Sequence, residues 1–490
     1  MASQHWKPSR QDYLDALISQ NPWQHLGHVP NSLAFEKSRP LAKELWRTMV
    51  GEPRRYQVVL GPRRVGKTVT LHQTIRRLID EGIEPRRLWF MRLDHPLFMD
   101  FGLDRWVRSI MNRESPTADA PIFLFLDEVN YAPSWDKWLK TFYDERWPVR
   151  IVATSSSTAA LVGPNMESGI GRWSEQFLTP YDFLEFLELR GVAPPNPGPA
   201  ASLHEALAII AGLKIDTPAL EKQLSEFLLI GGFPELLTAL RSDNIENEVI
   251  RSQQVLRSEA VQRVTGMDIP QVFDVRDPLT LERLLCVLAG QICGLMNIAG
   301  LATLMEKNRE TVLLYIKYLE TAYLIFTLPN YSRTEEQIQR RGRKVYFVDG
   351  AVRNAALQRG IRPLNDPVER GYLYENAAAS HLRMLALQQG SRVFHWRDRD
   401  EEVDLVYEDA GGPIAIEVSS GSSHHRSGLI ALQRRFKEFR GRSYIVSASI
   451  QTATPPDSDP DGIGTLPLAA FLLGVSHQTH RAMRIRLGID

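Results

Sequence analysis

A lysine and a threonine closing a glycine-bounded loop, with an acidic pair further along the chain, are the residue types that hold a nucleoside triphosphate with its metal. The loop is GPRRVGKT, residues 61–68. Its glycines let backbone N–H groups turn inward around phosphate oxygens without a Cβ in the way. Gly61, Pro62, Arg63, Arg64, Val65, Gly66, Lys67, Thr68 and Val69 are therefore the candidate ATP-binding residues. Lys67 is suited to reach the β and γ phosphates, and the Thr68 hydroxyl to ligate Mg2+. Downstream, the apolar run IFLFLDEVN ends in Asp127 and Glu128. A carboxylate there can hold magnesium through water, and a second can orient and deprotonate the attacking water.

Three further groups carry weaker signals. Ser156 lies in a serine cluster after the run ending at Thr154, where a hydroxyl can sense the γ phosphate; a plain serine-rich turn is the other reading. Arg172, in GIGRW, is placed to stabilise phosphoryl transfer from this subunit or a neighbour, or is a surface arginine. Glu375, Asp404 and Glu417 are three carboxylates in a region whose segments VDLVY and PIAIEVS should lie side by side, bringing Asp404 and Glu417 to one edge. Such oxygen clusters hold magnesium or manganese for phosphodiester cleavage.

The elements that must position these groups follow from the apolar patterning. The run 58–60, the loop and a helical pattern through Leu71, Ile75 and Leu78 have the strand, loop and helix order of a nucleotide-binding unit. Short apolar runs at 88–93, 122–126 and 149–154, with helices between, predict a parallel α/β sheet. The proline-rich stretch 194–202 reads as a hinge. Beyond a helical region, the amphipathic run 308–319 and the strand-like 324–328 read as a winged helix. Val312, Ile316 and Leu319 make its buried stripe, with Arg309, Thr311 and Lys317 outward. The basic group Arg340, Arg341, Arg343 and Lys344 follows, either facing phosphates or lying on a solvated hairpin. Runs 393–396, 403–406 and 414–418 with a helix around 429–439 predict a second α/β unit.

Chain length asks for several structural units. The expected division is a helical lead-in over 1–50 with aromatic anchors Trp23 and Trp46, a P-loop core over 51–185, a helical lid over 186–270, a winged helix over 271–335 and a second α/β domain over 336–490. Basic and acidic side chains, 58 of each, cancel, so any nucleic-acid contact must come from a local patch. Residues 284–305 carry no charge and are long enough to span a bilayer. Gln291, Gly294, Asn297 and Gly300 break the stretch, which predicts two buried helices and no membrane partner. Cys286 and Cys293, seven apart, would share one face of a helix and serve core packing. The N-terminus lacks a secretory apolar core, and a cytoplasmic location is expected.

The blocks GPRRVGKT, LDEVNYAPSWDKWLK, PYDFLEFL, GGFPE, GYLYEN, HWRDRDEEVD and IEVSS, in this order, resemble prokaryotic AAA-type ATPases that carry a C-terminal domain of uncharacterised function with a restriction-endonuclease-like core. The resemblance runs from about Arg55 to the end of the chain. It implies ATP binding, a helical lid, a winged helix and the nuclease-like fold. The chain departs from the family where the last carboxylate should be followed, two residues on, by a lysine: after Glu417 comes Ser419. Losing that cation ordinarily lowers cleavage by orders of magnitude. The domain is then expected to bind nucleic acid without cutting it, unless Lys437, Arg426 or Arg397 supplies the charge. Three readings stand: a nucleotide-driven switch on double-stranded DNA, acting as a homo-oligomer in which Arg172 contacts the next subunit's nucleotide; a regulatory module docking a protein partner; and an active metal-dependent nuclease with a relocated basic residue.

Overall fold

The computed structural model describes residues 9–99, 102–156, 169, 171–213, 217–239, 245–273, 275–421 and 425–489. It divides into two compact units, residues 1–61 with 66–178, and residues 62–65 with 179–488.

The first unit is built on five strands, β1 (Tyr56–Leu60), β2 (Leu88–Arg92), β3 (Ile122–Asp127), β4 (Val149–Ser155) and β5 (Trp173–Phe177). All pairings are parallel, in the order β2-β3-β4-β1-β5. Strands covered on both faces favour apolar side chains at successive positions, which is why VVL in β1 and IFLFL in β3 read as unbroken runs rather than alternations; the buried Gln57 is met by the Gln176 amide at 3.0 Å. The helix α1 (Lys67–Asp80) leaves the end of the loop and buries Leu71, Ile75 and Leu78. The lead-in is anchored as expected at Trp23, which is fully buried and donates its indole N–H to the Leu88 carbonyl at 3.0 Å. The order of strands matters for chemistry. Parallel sheets present their ligand sites beyond the carboxyl ends of the strands. Here β4 lies between β1 and β3, so whatever follows β4 stands between the loop after β1 and the acids after β3.

The second unit begins with α2 (Phe183–Leu189) and a helical region. Three helices then follow, α3 (Pro278–Gly290), α4 (Ile298–Met305) and α5 (Arg309–Thr321), with an antiparallel pair, β6 (Ile325–Leu328) and β7 (Lys344–Phe347). In α5, Val312, Tyr315, Ile316 and Leu319 are buried, while Leu313 and Leu314 stay about half exposed beside Arg309 and Lys317. The long helix α6 (Pro367–Gln389) leads to a five-stranded mixed sheet. Its strands are β8 (Arg392–Asp398), β9 (Glu401–Asp409), β10 (Gly412–Ser419), β11 (Ser443–Ser447) and β12 (Ile463–Pro467), with α7 (Ser427–Arg435) before β11 and α8 (Leu468–Arg486) closing the chain. Strands β8, β9 and β10 pair antiparallel, and β10, β11 and β12 parallel. The β9–β10 register sets Leu405 opposite Ile416, and one step further sets Asp404 opposite Glu417.

One local expectation holds and two change. The uncharged stretch is two helices, and among the described residues no helix is long and apolar enough to cross a membrane. Cys293 lies past the end of α3 at φ +63°, so it does not share a helical face with Cys286; it is buried, and Cys286 is half-buried. The helix expected around 429–439 ends at Arg435 and gives way to a 3-10 turn over Lys437–Phe439.

Candidate functional site

The loop after β1 reaches α1 through Arg64 at φ +66° and Gly66 at φ +92°, a left-handed passage that Gly66 makes without strain. Gly66 offers no side-chain cap, so the first N–H groups of α1 keep the open, partly positive end that suits phosphate. Lys67 is buried. Its ammonium donates to the Gly61 carbonyl at 3.1 Å and to Ser156 Oγ at 2.7 Å, and stands 3.8 Å from Glu128 Oε1. Val65 is buried, whereas Arg63 and Arg64 reach acidic partners, Asp268 at 3.0 Å and Glu259 at 3.0 Å.

At the end of β3, Thr68 Oγ1 donates to Asp127 Oδ2 at 2.7 Å, and Thr154 Oγ1 donates to Asp127 Oδ1 at 2.6 Å. The Glu128 backbone N–H in turn donates to that threonine oxygen at 2.9 Å. Glu128 sits at φ +54°, a conformation a non-glycine residue rarely adopts and one that recurs where side chains are aimed for function. Its carboxylate accepts from the Ser156 hydroxyl and, at 3.2 Å, from the Ser156 N–H. Burial, with Glu128 beside it, pushes the Asp127 carboxyl up to about 6. Ser156 thus joins Lys67 to Glu128. Ser155 donates instead to Asn130 Oδ1 at 3.2 Å, and Ser157 lies outside the described residues.

Arg172 is not brought to this cluster. It precedes β5, whose first residue Trp173 pairs with Tyr56 at the start of β1, whereas the loop follows the end of β1. Its guanidinium pairs with Asp144 at 2.8 Å. Parallel strand direction puts the two at opposite ends of the sheet, so an in-subunit role at the nucleotide does not hold.

In the second unit the three expected carboxylates do converge, around a residue that sequence reasoning did not choose. Glu375 projects from α6, Asp404 from β9 and Glu417 from β10. Lys344, the first residue of β7, is buried with its ammonium 3.3 Å from Glu375 Oε1, 3.4 Å from Asp404 Oδ1 and 2.5 Å from Glu402 Oε1. Tyr346 donates to Glu375 at 2.7 Å, and the Val418 N–H to Asp404 Oδ2 at 2.9 Å. Burial and the neighbouring Asp404 push Glu375 up to about 7; the same two causes raise Glu417 well above the carboxylate range, and its Oε2 is buried without a hydrogen-bond partner. For Lys344, burial works against the charge, but the three carboxylates outweigh it and hold the ammonium protonated.

The cations nominated from sequence lie elsewhere. Arg426 pairs with Asp459 and Asp461, Lys437 is on the 3-10 turn after α7, and Arg397 touches only the outer member, Glu402, at 3.5 Å. The basic group before β7 also splits. Lys344 turns inward, Arg340 pairs with Glu336 at 2.8 Å, and Arg343 donates to Gln339 at 3.1 Å, so it is not one phosphate-facing set. The signal that could have found Lys344 is its place at the head of the apolar strand KVYF rather than in the loop before it.

Among the described residues, one trio of ligand-type atoms gathers within 4.8 Å, Asp182, Glu185 and His480. Its members are already engaged. Asp182 and Glu185 form a reciprocal capping box at the start of α2, and His480 Nε2 meets Asp182 Oδ2 at 2.9 Å.

Residues 53–187 match the AAA domain model, residues 221–362 a Domain of unknown function (DUF8612), and residues 370–460 a Domain of unknown function (DUF4143). The chain thus carries an AAA-type P-loop domain followed by two domains whose function is not known. It is similar to two uncharacterized proteins of Methanocaldococcus jannaschii. MJ1544 is 25% identical over 72% of this chain and 72% of its own length, and MJ1637 is 24% identical over 77% and 78%. Among solved structures it is similar to the Thermotoga maritima RuvB Holliday junction branch migration motor, at 14% identity and a TM-score of 0.25 over 69% of this chain and 92% of that one. AMPPCP-bound DnaA from Aquifex aeolicus aligns at 13% identity and a TM-score of 0.28 over 60% and 92%. Overlap that low carries nothing from either protein to this one.

Proposed function

We propose that the chain is a magnesium-dependent, ATP-hydrolysing AAA-type switch that works on double-stranded DNA, with a nuclease-like C-terminal domain that does not cut. The observation that carries the ATPase reading is the Thr68–Asp127 contact beside the chain Lys67–Ser156–Glu128. One hydroxyl and one buried carboxylate form the sparse oxygen set preferred by magnesium, which keeps several of its waters, so the residues fit the ion. Bound there, magnesium would neutralise charge developing on the phosphates. Lys67, released from Ser156, binds the phosphate oxygens, and Glu128 orients the attacking water and takes its proton. Ser156 reports on which partner Lys67 holds.

The DNA part of the reading rests on the three helices and hairpin of residues 278–347, taken as a winged helix whose α5 exposes Arg309 and Lys317. A homo-oligomer fits Arg172, which pairs with Asp144 at the end of its own sheet opposite the loop and would have to leave that partner for a neighbour's nucleotide. A second reading is favoured by Leu313 and Leu314, 52% and 48% exposed on the same helix face region, which suit a protein partner better than phosphates. Steady-state ATP hydrolysis with and without double-stranded DNA separates them. Turnover that ignores DNA would turn the surface toward protein contact; stimulation by DNA that is lost in Lys317→Ala and Arg309→Ala supports the DNA reading.

A further inference from the structure

Resting on the nuclease-like reading of the C-terminal domain, we propose that Lys344 is its resident cation: the ammonium stands where that reading puts a divalent metal, and the carboxylate cluster is a metal-free site. An ammonium has three N–H donors, and here three carboxylates, Glu375, Glu402 and Asp404, surround it at 2.5–3.4 Å. Its hydrogen-bonding capacity is met by acids alone. A magnesium-sized ion needs oxygens about 2.1 Å away, so its ligands must close to within about 4 Å of one another. Among the described residues, Glu375, Asp404 and Glu417 do not gather one oxygen each within 4.8 Å of one another, and the Lys344 ammonium is bonded to both Glu375 and Asp404. Glu417 Oε2 is buried without a hydrogen-bond partner, but the charge that Glu375 and Asp404 would offer an incoming ion is already met by the ammonium.

The lysine also comes from an unusual direction. The family pattern puts it two residues beyond the last carboxylate, on the same strand; here that position is Ser419, and the cation arrives from β7, in a different sheet. An ammonium fixed by three charge-assisted bonds is not the mobile, water-facing base of a cleavage site. It is a counter-ion that keeps the acids together and closes the place to metals.

The test is Mn2+ binding by the full chain carrying Asp127→Asn, which silences the nucleotide's metal site, read by electron paramagnetic resonance of free Mn2+. The expected result is no Mn2+ site that depends on Asp404. Adding Lys344→Ala should create one, tightening Mn2+ binding by at least about tenfold, and further adding Asp404→Asn should abolish it. An Asp404-dependent Mn2+ site in the chain with Lys344 intact overturns the inference, whatever the variants do. Plasmid nicking in the same samples then tells whether the non-cutting reading falls with it or stands alone. No gain in a folded Lys344→Ala chain, checked by its cooperative thermal unfolding, also overturns the proposal. If that variant fails to fold, Lys344→Gln takes its place, and the binding measured with Lys344 present decides by itself.

Discussion

Two buried lysines beside buried acids do opposite things in this molecule. Lys67 and Lys344 are almost equally sheltered, with side chains 5% and 4% exposed, and each stands within 4 Å of a carboxylate. Lys67 is hydrogen-bonded to neutral acceptors, a carbonyl and a hydroxyl, while Asp127 is satisfied by two threonine hydroxyls. Hydroxyl dipoles leave the negative charge of Asp127 uncancelled, and burial raises its proton affinity accordingly. Lys344 is bonded to the acids themselves. A lysine held by neutral groups leaves a place for an arriving cation; a lysine held by acids is the cation.

Removing each lysine should therefore have different consequences. Lys67→Ala should lower ATP hydrolysis by at least about 100-fold while leaving urea unfolding of the chain nearly unchanged, since Asp127 keeps its two hydroxyls. Lys344→Met should instead destabilise the second unit by about 3–5 kcal/mol, because it leaves buried carboxylates without their counter-charge. Urea denaturation followed by tryptophan fluorescence measures both. Equal losses of stability in the two variants would erase the distinction.

How much of this was legible in the sequence differs between the two sites for a physical reason. The proposed nucleotide site is built from contiguous segments at strand ends, so GPRRVGKT and the acids after IFLFL name their own places. Ser156 follows from strand order, which the sequence does not print; only β4 lying between β1 and β3 makes it the bridge. Arg172 could not be placed without knowing that β5 pairs with β1 from its first residue. In the C-terminal domain Asp404 and Glu417 were readable from two strands expected side by side, but their partner comes from a two-stranded sheet elsewhere in the chain. A basic run before a strand looks the same whether its last member faces water or a buried acid. Only the tertiary fold decided that Lys344 turns inward.

A third buried pair sharpens the comparison because its cation can lose its charge. His480 meets Asp182, with Glu185, Glu188 and His477 facing the pair. Burial disfavours the imidazolium, but Asp182 outweighs it and raises His480 to about 9, while Asp182 is pulled below the usual range. A raised histidine pKa gives stability that is complete below its unfolded value of about 6.5 and fades as pH rises through about 9. His480→Gln should cost about 2–3 kcal/mol at pH 6, and the gap to the unaltered chain should shrink steadily between pH 6.5 and 9. Denaturant titrations across that range measure it. A gap that stays constant would mean the histidine acts through packing alone.

The smallest effect expected is at Ser156, where the contrast between the lysines is most finely drawn. Its hydroxyl accepts from Lys67 and donates to Glu128, and so keeps the lysine from pairing directly with the acid. Ser156→Ala removes a net hydrogen-bond contribution of about 1 kcal/mol, or about fivefold in rate. It also lets Lys67 close the 3.8 Å to Glu128. That closure would make the AAA site more like the C-terminal one, with a lysine spent on an acid. The loss should therefore fall on kcat, through Glu128, more than on KM, and Ser156→Thr, which keeps a hydroxyl, should recover most of it. If Ser156→Ala leaves kcat untouched while Lys67→Ala abolishes turnover, the serine is only part of the turn after β4, and Lys67 and Glu128 are kept apart by the backbone alone.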